Sequence, residues 1–141
     1  MESDDMTVAV VGMEEHEVTE LLELLAAEEV TITRPPRTGL IMMTVKDSFE
    51  TDFHLGEVLV TEAAVSVRGS EGFGTVAGEE PRKALARAAA DALLRAGRPE
   101  PLRQAVLACL ARARRRQAAR LAGEAALTAA TRVRFDLMPG A

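Results

Sequence analysis

The strand signals of this chain sit in one block, residues 30–77, with helical patterns on both sides of it, and that grouping constrains the fold more than any other feature. Strands that alternate with helices build parallel sheets; strands collected together build an antiparallel sheet with its helices set apart. Within the block, Val30–Arg34 and Gly39–Lys46 read as separate strands, divided by Arg34-Pro35-Pro36-Arg37. In the second of these, Ile41, Met43 and Val45 alternate with Leu40 and Met42, so both faces are apolar. That pattern predicts a central strand covered on both sides. Leu55–Val67 gives a long strand and Gly72–Ala77 a short one, with Arg68-Gly69-Ser70-Glu71-Gly72 as the hairpin connection.

Outside the block the period changes. Over Glu14–Glu29, Val18, Leu21, Leu22 and Leu25 share one helical face, and Glu14, Glu15 and Glu17 suit its positive N-terminal end. Residues 4–12 are ambiguous: Val8, Val10 and Val11 favour a strand by propensity, and Gly12 punctuates either conformation. Pro81 opens a helix with an alanine-rich stripe (Leu85, Ala88, Ala89, Ala92, Leu93) that stops at Gly97. So many alanines require a close neighbour. A long helix from Pro101 places Leu102, Val106, Cys109, Leu110, Ala113, Leu121 and Ala125 on one side, with Gly123 a weak point. The tail from Val133 ends in Pro139-Gly140 and reads as non-helical. The expected fold is α+β in a single domain over residues 1–141. It has a mostly antiparallel three- to four-stranded sheet, an N-terminal helical segment, and two C-terminal helices packed on the sheet.

Charge is divided unevenly. Residues 1–80 hold 18 Asp/Glu and 4 Lys/Arg, a balance of −14, and residues 81–141 hold 4 and 13, a balance of +9. Either the two halves face each other and neutralise, or the basic half docks a charged partner. No apolar run approaches the roughly 18–20 residues that span a bilayer, and residues 6–13 follow acids rather than a basic leader. One cysteine in 141 residues suits a reducing compartment, so a soluble cytoplasmic protein is expected.

The chemistry-bearing residues are scattered. His16 and His54 have no His or Cys at ligand spacing, and Cys109, mid-helix on the apolar side, reads as a buried inert thiol. No metal site and no catalytic set are assigned. Gly69, Gly72, Gly74 and Gly78 cluster around one hairpin and read as hairpin geometry. The segment Gly78-Glu79-Glu80-Pro81 opens a helix with acids and a proline where a phosphate cradle needs bare N–H donors. Glu57 and Thr61 should share one face of the long strand and Glu62 the other, which argues against a carboxylate dyad. Arg112, Arg115, Arg116 and Arg120 share roughly one helical face, suited to solvent or to docking a protein. With no Trp or Tyr to stack bases and a net charge of −5, nucleic acid is not expected.

One stretch is distinctive: Phe53-His54-Leu55-Gly56-Glu57-Val58-Leu59-Val60-Thr61. With Thr38-Gly39-Leu40 before it, and Gly72, Gly74, Gly78, Ala84, Ala88 and Asp91 after it, it resembles the G subunit of the bacterial carbon–phosphorus lyase machinery, the PhnG family. A fainter echo follows at Val133–Met138, including Phe135. Gly39, Phe53, Gly56, Glu57, Thr61, Gly72, Gly74, Gly78, Asp91 and Phe135 are the family-motif positions, structural or partner-facing. The resemblance implies a helical N-terminal segment. It also implies an accessory role beside H, I, J and L subunits. In that system a phosphonate attacks the ribose C1′ of ATP, adenine leaves, and a ribose 1-phosphonate 5-triphosphate forms. MgATP and the phosphonate would be substrates of the assembly, with no cofactor bound by this subunit alone. A generic α+β oligomerisation or binding module, homo-oligomeric when isolated, is the alternative.

Overall fold

The computed structural model describes residues 1–131. In chain order it comprises α1 (Ser3–Val11), α2 (Glu15–Leu25), β1 (Val30–Lys46), β2 (Asp52–Val67), β3 (Ser70–Ala77), α3 (Pro81–Ala96) and α4 (Glu100–Ala130). The strands form one antiparallel sheet in the order β1-β2-β3, so the architecture is α+β as expected. Helix α3 packs on the sheet through β3 and β2, while α4 lies mainly across α1 and α2. The expected non-helical tail from Val133 lies outside the described residues.

The first ambiguity resolves as helix. Met6, Ala9 and Val10 of α1 are buried, and their i, i+3, i+4 spacing fits one helical face against the other helices. Tertiary packing here overrides the strand propensity of three valines. Helix α2 ends at Leu25, short of Glu29, and is opened by a capping box: Glu14 N–H donates to Glu17 Oε1 at 2.9 Å.

Two strand expectations are corrected. Residues 30–34 and 39–46 are not separate strands but parts of one 17-residue strand, with register irregularities between Ile32 and Arg34 and between Arg34 and Arg37. Pro35 and Pro36 have no N–H to donate, and an edge strand with a neighbour on one side only can absorb them as a bulge. Nor is Gly39–Lys46 a covered central strand. That place belongs to β2, and β1 lies at the sheet edge with its apolar side chains exposed. Alternation reports two apolar faces but not what covers them.

The glycines also divide differently from the sequence reading. The β2–β3 turn is Arg68-Gly69, both residues at positive φ (51° and 81°), the form that suits a two-residue hairpin. Gly72 and Gly74 are not turn residues. They lie within β3, directly beneath α3: a Cβ on Gly72 would strike the backbone of Ala88 and Ala92, and one on Gly74 the backbone of Ala84 and Ala88. The alanine stripe of α3 and these glycines are the two sides of one close contact. The helix is further tied down by Asp91, whose carboxylate accepts from Phe73 N–H at 3.1 Å and from Arg95 at 3.2 Å. Buried Arg87 reaches α1, donating to Thr7 Oγ1 at 3.0 Å and Ser3 Oγ at 2.9 Å.

Gly72→Ala should therefore lift α3 off β3. Overpacking of this kind costs about 1–3 kcal/mol, and the thermal midpoint should fall by several degrees, while Gly39→Ala, which meets nothing within 4 Å, should leave it unchanged. Circular-dichroism melting of the two variants checks the contrast.

Candidate functional site

Beyond Val60, β2 has lost β3 as a neighbour, because the ladder between them ends at Val60 opposite Ala77. Strands β1 and β2 continue together as a two-stranded arm, paired from Gly39–Val60 to Lys46–Asp52. Its tip is closed by Asp47, whose Oδ1 accepts from Phe49 N–H at 2.8 Å and Thr51 N–H at 2.9 Å. Leu40 (62% exposed), Ile41, Met42 (56%), Met43, Leu55 (60%) and Leu59 are open to solvent on the two faces of this arm. Phe53 and Phe49 extend the apolar surface toward the tip. Together these side chains expose on the order of several hundred Å², at or above the largest apolar patch of a typical monomer.

A kink shapes the arm. The register slips between Met43 and Thr44, where Gly56 pairs with Met43 and His54 pairs with Thr44, leaving Leu55 as the extra residue. Gly56 has φ +144°, a conformation L side chains rarely adopt. His54 hydrogen-bonds Thr44 across the pair at 3.1 Å. Glu57 stands exposed opposite Met42, and Glu62 opposite Arg37. Glu57 and Glu62 are five residues apart on one strand, and their alternation keeps them on opposite faces.

At the arm's root sits Thr61, 1% exposed. Its hydroxyl donates to Gly78 O at 2.6 Å and accepts from Glu80 N–H at 3.0 Å, with Thr38 Oγ1 at 3.4 Å. Glu80 is the N-cap of α3, and Thr61 gives its backbone N–H an acceptor from another element. Gly78, at φ +86°, gives the sharp exit from β3 that brings its carbonyl to Thr61. Thr61 and Gly78 are thus parts of one junction between the arm, the sheet and α3.

The basic face of α4 has been placed as well. Arg112 pairs with Glu20, and Arg116 with Glu17 at 2.7 Å, Glu14 at 3.6 Å and the Gly12 carbonyl at 2.8 Å. Arg120 pairs with Glu124 of its own helix, and Arg115 is exposed. Acidic α1 and α2 therefore face basic α4, and Arg112 and Arg116 act within the fold. Burial pushes the Glu17 carboxyl up, but its hydrogen bonds from Arg116 and the Glu14 N–H, with the Arg116 charge, outweigh burial and hold it below its ordinary value. Cys109 is buried, and desolvation raises its thiol pKa, with Glu20 adding to the shift, so it is held as the unreactive thiol.

Glu14, His16 and Glu17 come close enough to offer a metal three ligand atoms, a grouping the histidine spacing did not reveal. Glu17 is already committed to Arg116 and to the capping box, and His16 is solvent-exposed, so the trio reads as a helix cap. Phe135 lies outside the described residues. Among the described residues no helix is long and apolar enough to cross a membrane.

The sequence model described as phosphonate metabolism protein PhnG matches residues 4–140, nearly the whole chain. The chain belongs to the PhnG family. No curated protein matches it. PhnG membership places the chain in phosphonate metabolism, and the motif positions quoted from the sequence now have locations. Gly39, Phe53, Gly56 and Glu57 lie on the arm, Thr61 and Gly78 at its root, and Gly72, Gly74 and Asp91 at the contact between α3 and β3.

Two variants test the root and the ion pair. Thr61→Val should cost about 1–3 kcal/mol, because the Gly78 carbonyl and Glu80 N–H lose a buried partner, and the melting midpoint should drop by several degrees. Glu17→Gln should destabilise at neutral pH. A carboxylate whose pKa is lowered by folding stabilises above its unfolded value, ordinarily 4.5, and that contribution disappears as pH falls through the lowered folded value. The gap between the melting curves of Glu17→Gln and the parent should therefore close on acidification.

Proposed function

We propose that this chain is an accessory subunit of the carbon–phosphorus lyase system, acting with H, I and L subunits when the ribose-triphosphate part of ATP passes to a phosphonate, in the cytoplasm. A phosphonate oxygen forms the new bond to ribose C1′, the bond from C1′ to adenine breaks, and the adenine leaves. MgATP and the phosphonate are substrates of the assembly. Family membership supports the metabolic setting. The observation that carries the subunit role is the arm: a hairpin, apolar on both faces, that the described residues leave bare. Such a surface is consistent with coverage by a protein partner, because exposed apolar patches of this kind mark interaction sites.

The test is reconstitution. The purified chain with ATP and methylphosphonate should release no adenine above background, while the co-expressed G, H, I and L set should release it. Met43→Lys with Leu59→Lys should leave the melting curve of the free chain within a few degrees and abolish co-purification with the other subunits. Adenine is read by chromatography and assembly by pull-down. Turnover by the isolated chain, or full assembly by the arm variant, would overturn the reading.

A further inference from the structure

The two edges of the sheet are treated differently. On β3, the outward-facing Phe73 N–H is taken by Asp91, and α3 and α1 lie against the strand. On β1, the half nearer the chain's start carries Pro35 and Pro36, which cannot donate to a new strand. Between Thr38 and Lys46 the edge has neither device.

The ladder shows which residues face that edge. Gly78 N–H donates to Leu59 O at 2.8 Å, so the backbone of Leu59 is turned toward β3. Its cross-strand partner Leu40 is then turned away from β2, toward the open edge. Alternation extends the outward set to Thr38, Met42, Thr44 and Lys46. These backbone groups are arranged to receive an added strand.

We propose that this edge is a self-association site: two copies pair antiparallel along Thr38–Lys46 of β1, centred on Met42, into one continuous sheet. The inference rests on reading the arm as a docking surface and names its occupant. Outward residues must oppose outward residues, which excludes every register offset by one, including the one that sets Arg37 against Lys46. Centring on Met42 opposes Leu40 to Thr44 and Thr38 to Lys46, and leaves Pro36 outside the ladder. It also sets Arg37 of one copy beside Asp47 of the other, opposite charges on the same face. Moving the centre to Ile41 brings Pro36 opposite Lys46 and loses a hydrogen bond; moving it to Met43 shortens the ladder and parts Arg37 from Asp47. Ile41 and Met43 of the two copies become neighbours on one face, and Leu40 and Met42 lie along the other.

The full chain should run as a dimer in analytical ultracentrifugation at micromolar concentration. Met42→Pro removes only an outward N–H, so it should give a monomer with an unchanged circular-dichroism melt. Arg37→Glu should weaken the dimer about tenfold or more. A nitroxide on Met42→Cys should report a label pair within roughly 20 Å, since directly opposed residues of a hydrogen-bonded pair have Cα atoms about 5.5 Å apart. A monomer at every concentration, a dimer that survives Met42→Pro, or widely separated labels would overturn the proposal. If such a monomer still assembles with the H, I and L subunits, the self-association fails and the accessory-subunit reading stands.

Discussion

Two glycines in β3 let α3 come down onto the sheet until helix backbone lies almost directly on strand backbone. Most of the remaining architecture depends on that approach. It requires small residues on the helix as well, and Ala84, Ala88 and Ala92 answer Gly72 and Gly74 from the other side. With so little side-chain volume between the layers, the contact gains from dispersion over many close atoms and tolerates almost no enlargement. Asp91 sits where the carboxylate can reach across this thin seam to Phe73, and Arg87 of the same helix reaches the opposite way to α1. Helix α3 is thus the shared wall between sheet and helical layer.

The helical layer is joined by charge as well as by burial. Acids concentrated early in the chain meet arginines concentrated late in it, through pairs such as Glu17–Arg116 and Glu20–Arg112. Exposed ion pairs contribute little each, so the core of Val10, Val18, Leu21, Leu93, Val106 and Leu110 holds the layer together. The charges fix how α4 lies: Arg116 binds the Gly12 carbonyl and Glu17 together, and Gln117 donates to Ala9 O at 3.0 Å.

Much of this was legible in the sequence where local chemistry is decisive. The grouping of strands gave the fold class, Pro81 and Gly97 bounded α3, and the Phe53–Thr61 stretch pointed to the family. What was hidden is instructive in each case. The valines of α1 left its conformation ambiguous by propensity, and the helical reading came from the resemblance, because propensity does not know that Met6, Ala9 and Val10 will meet other helices. The prolines at 35 and 36 read as a break because a sequence does not say which strand will be at the edge. Gly72 and Gly74 read as hairpin geometry because close approach to a distant helix leaves no local mark except the alanines ten to twenty residues later. Thr61 could not be foreseen as the acceptor for the α3 N-cap, since the two are 19 residues apart. The arm shows the same limit from the other side, since its alternating apolar faces were plain but their exposure among the described residues was not.

The sealed edge of β3 has one more consequence, which concerns growth. A sheet open at both edges can add strands without end, and that is how fibrils propagate. Here Asp91 occupies the Phe73 N–H at one border and two prolines interrupt part of the other, which leaves Thr38–Lys46 as the longest run with neither device. If a second copy pairs along that run, β3 becomes the border on both sides of the joined sheet. The same carboxylate that fastens a helix to the sheet therefore also acts as a chain terminator, letting the protein display a long, sticky hairpin while limiting what can accumulate upon it.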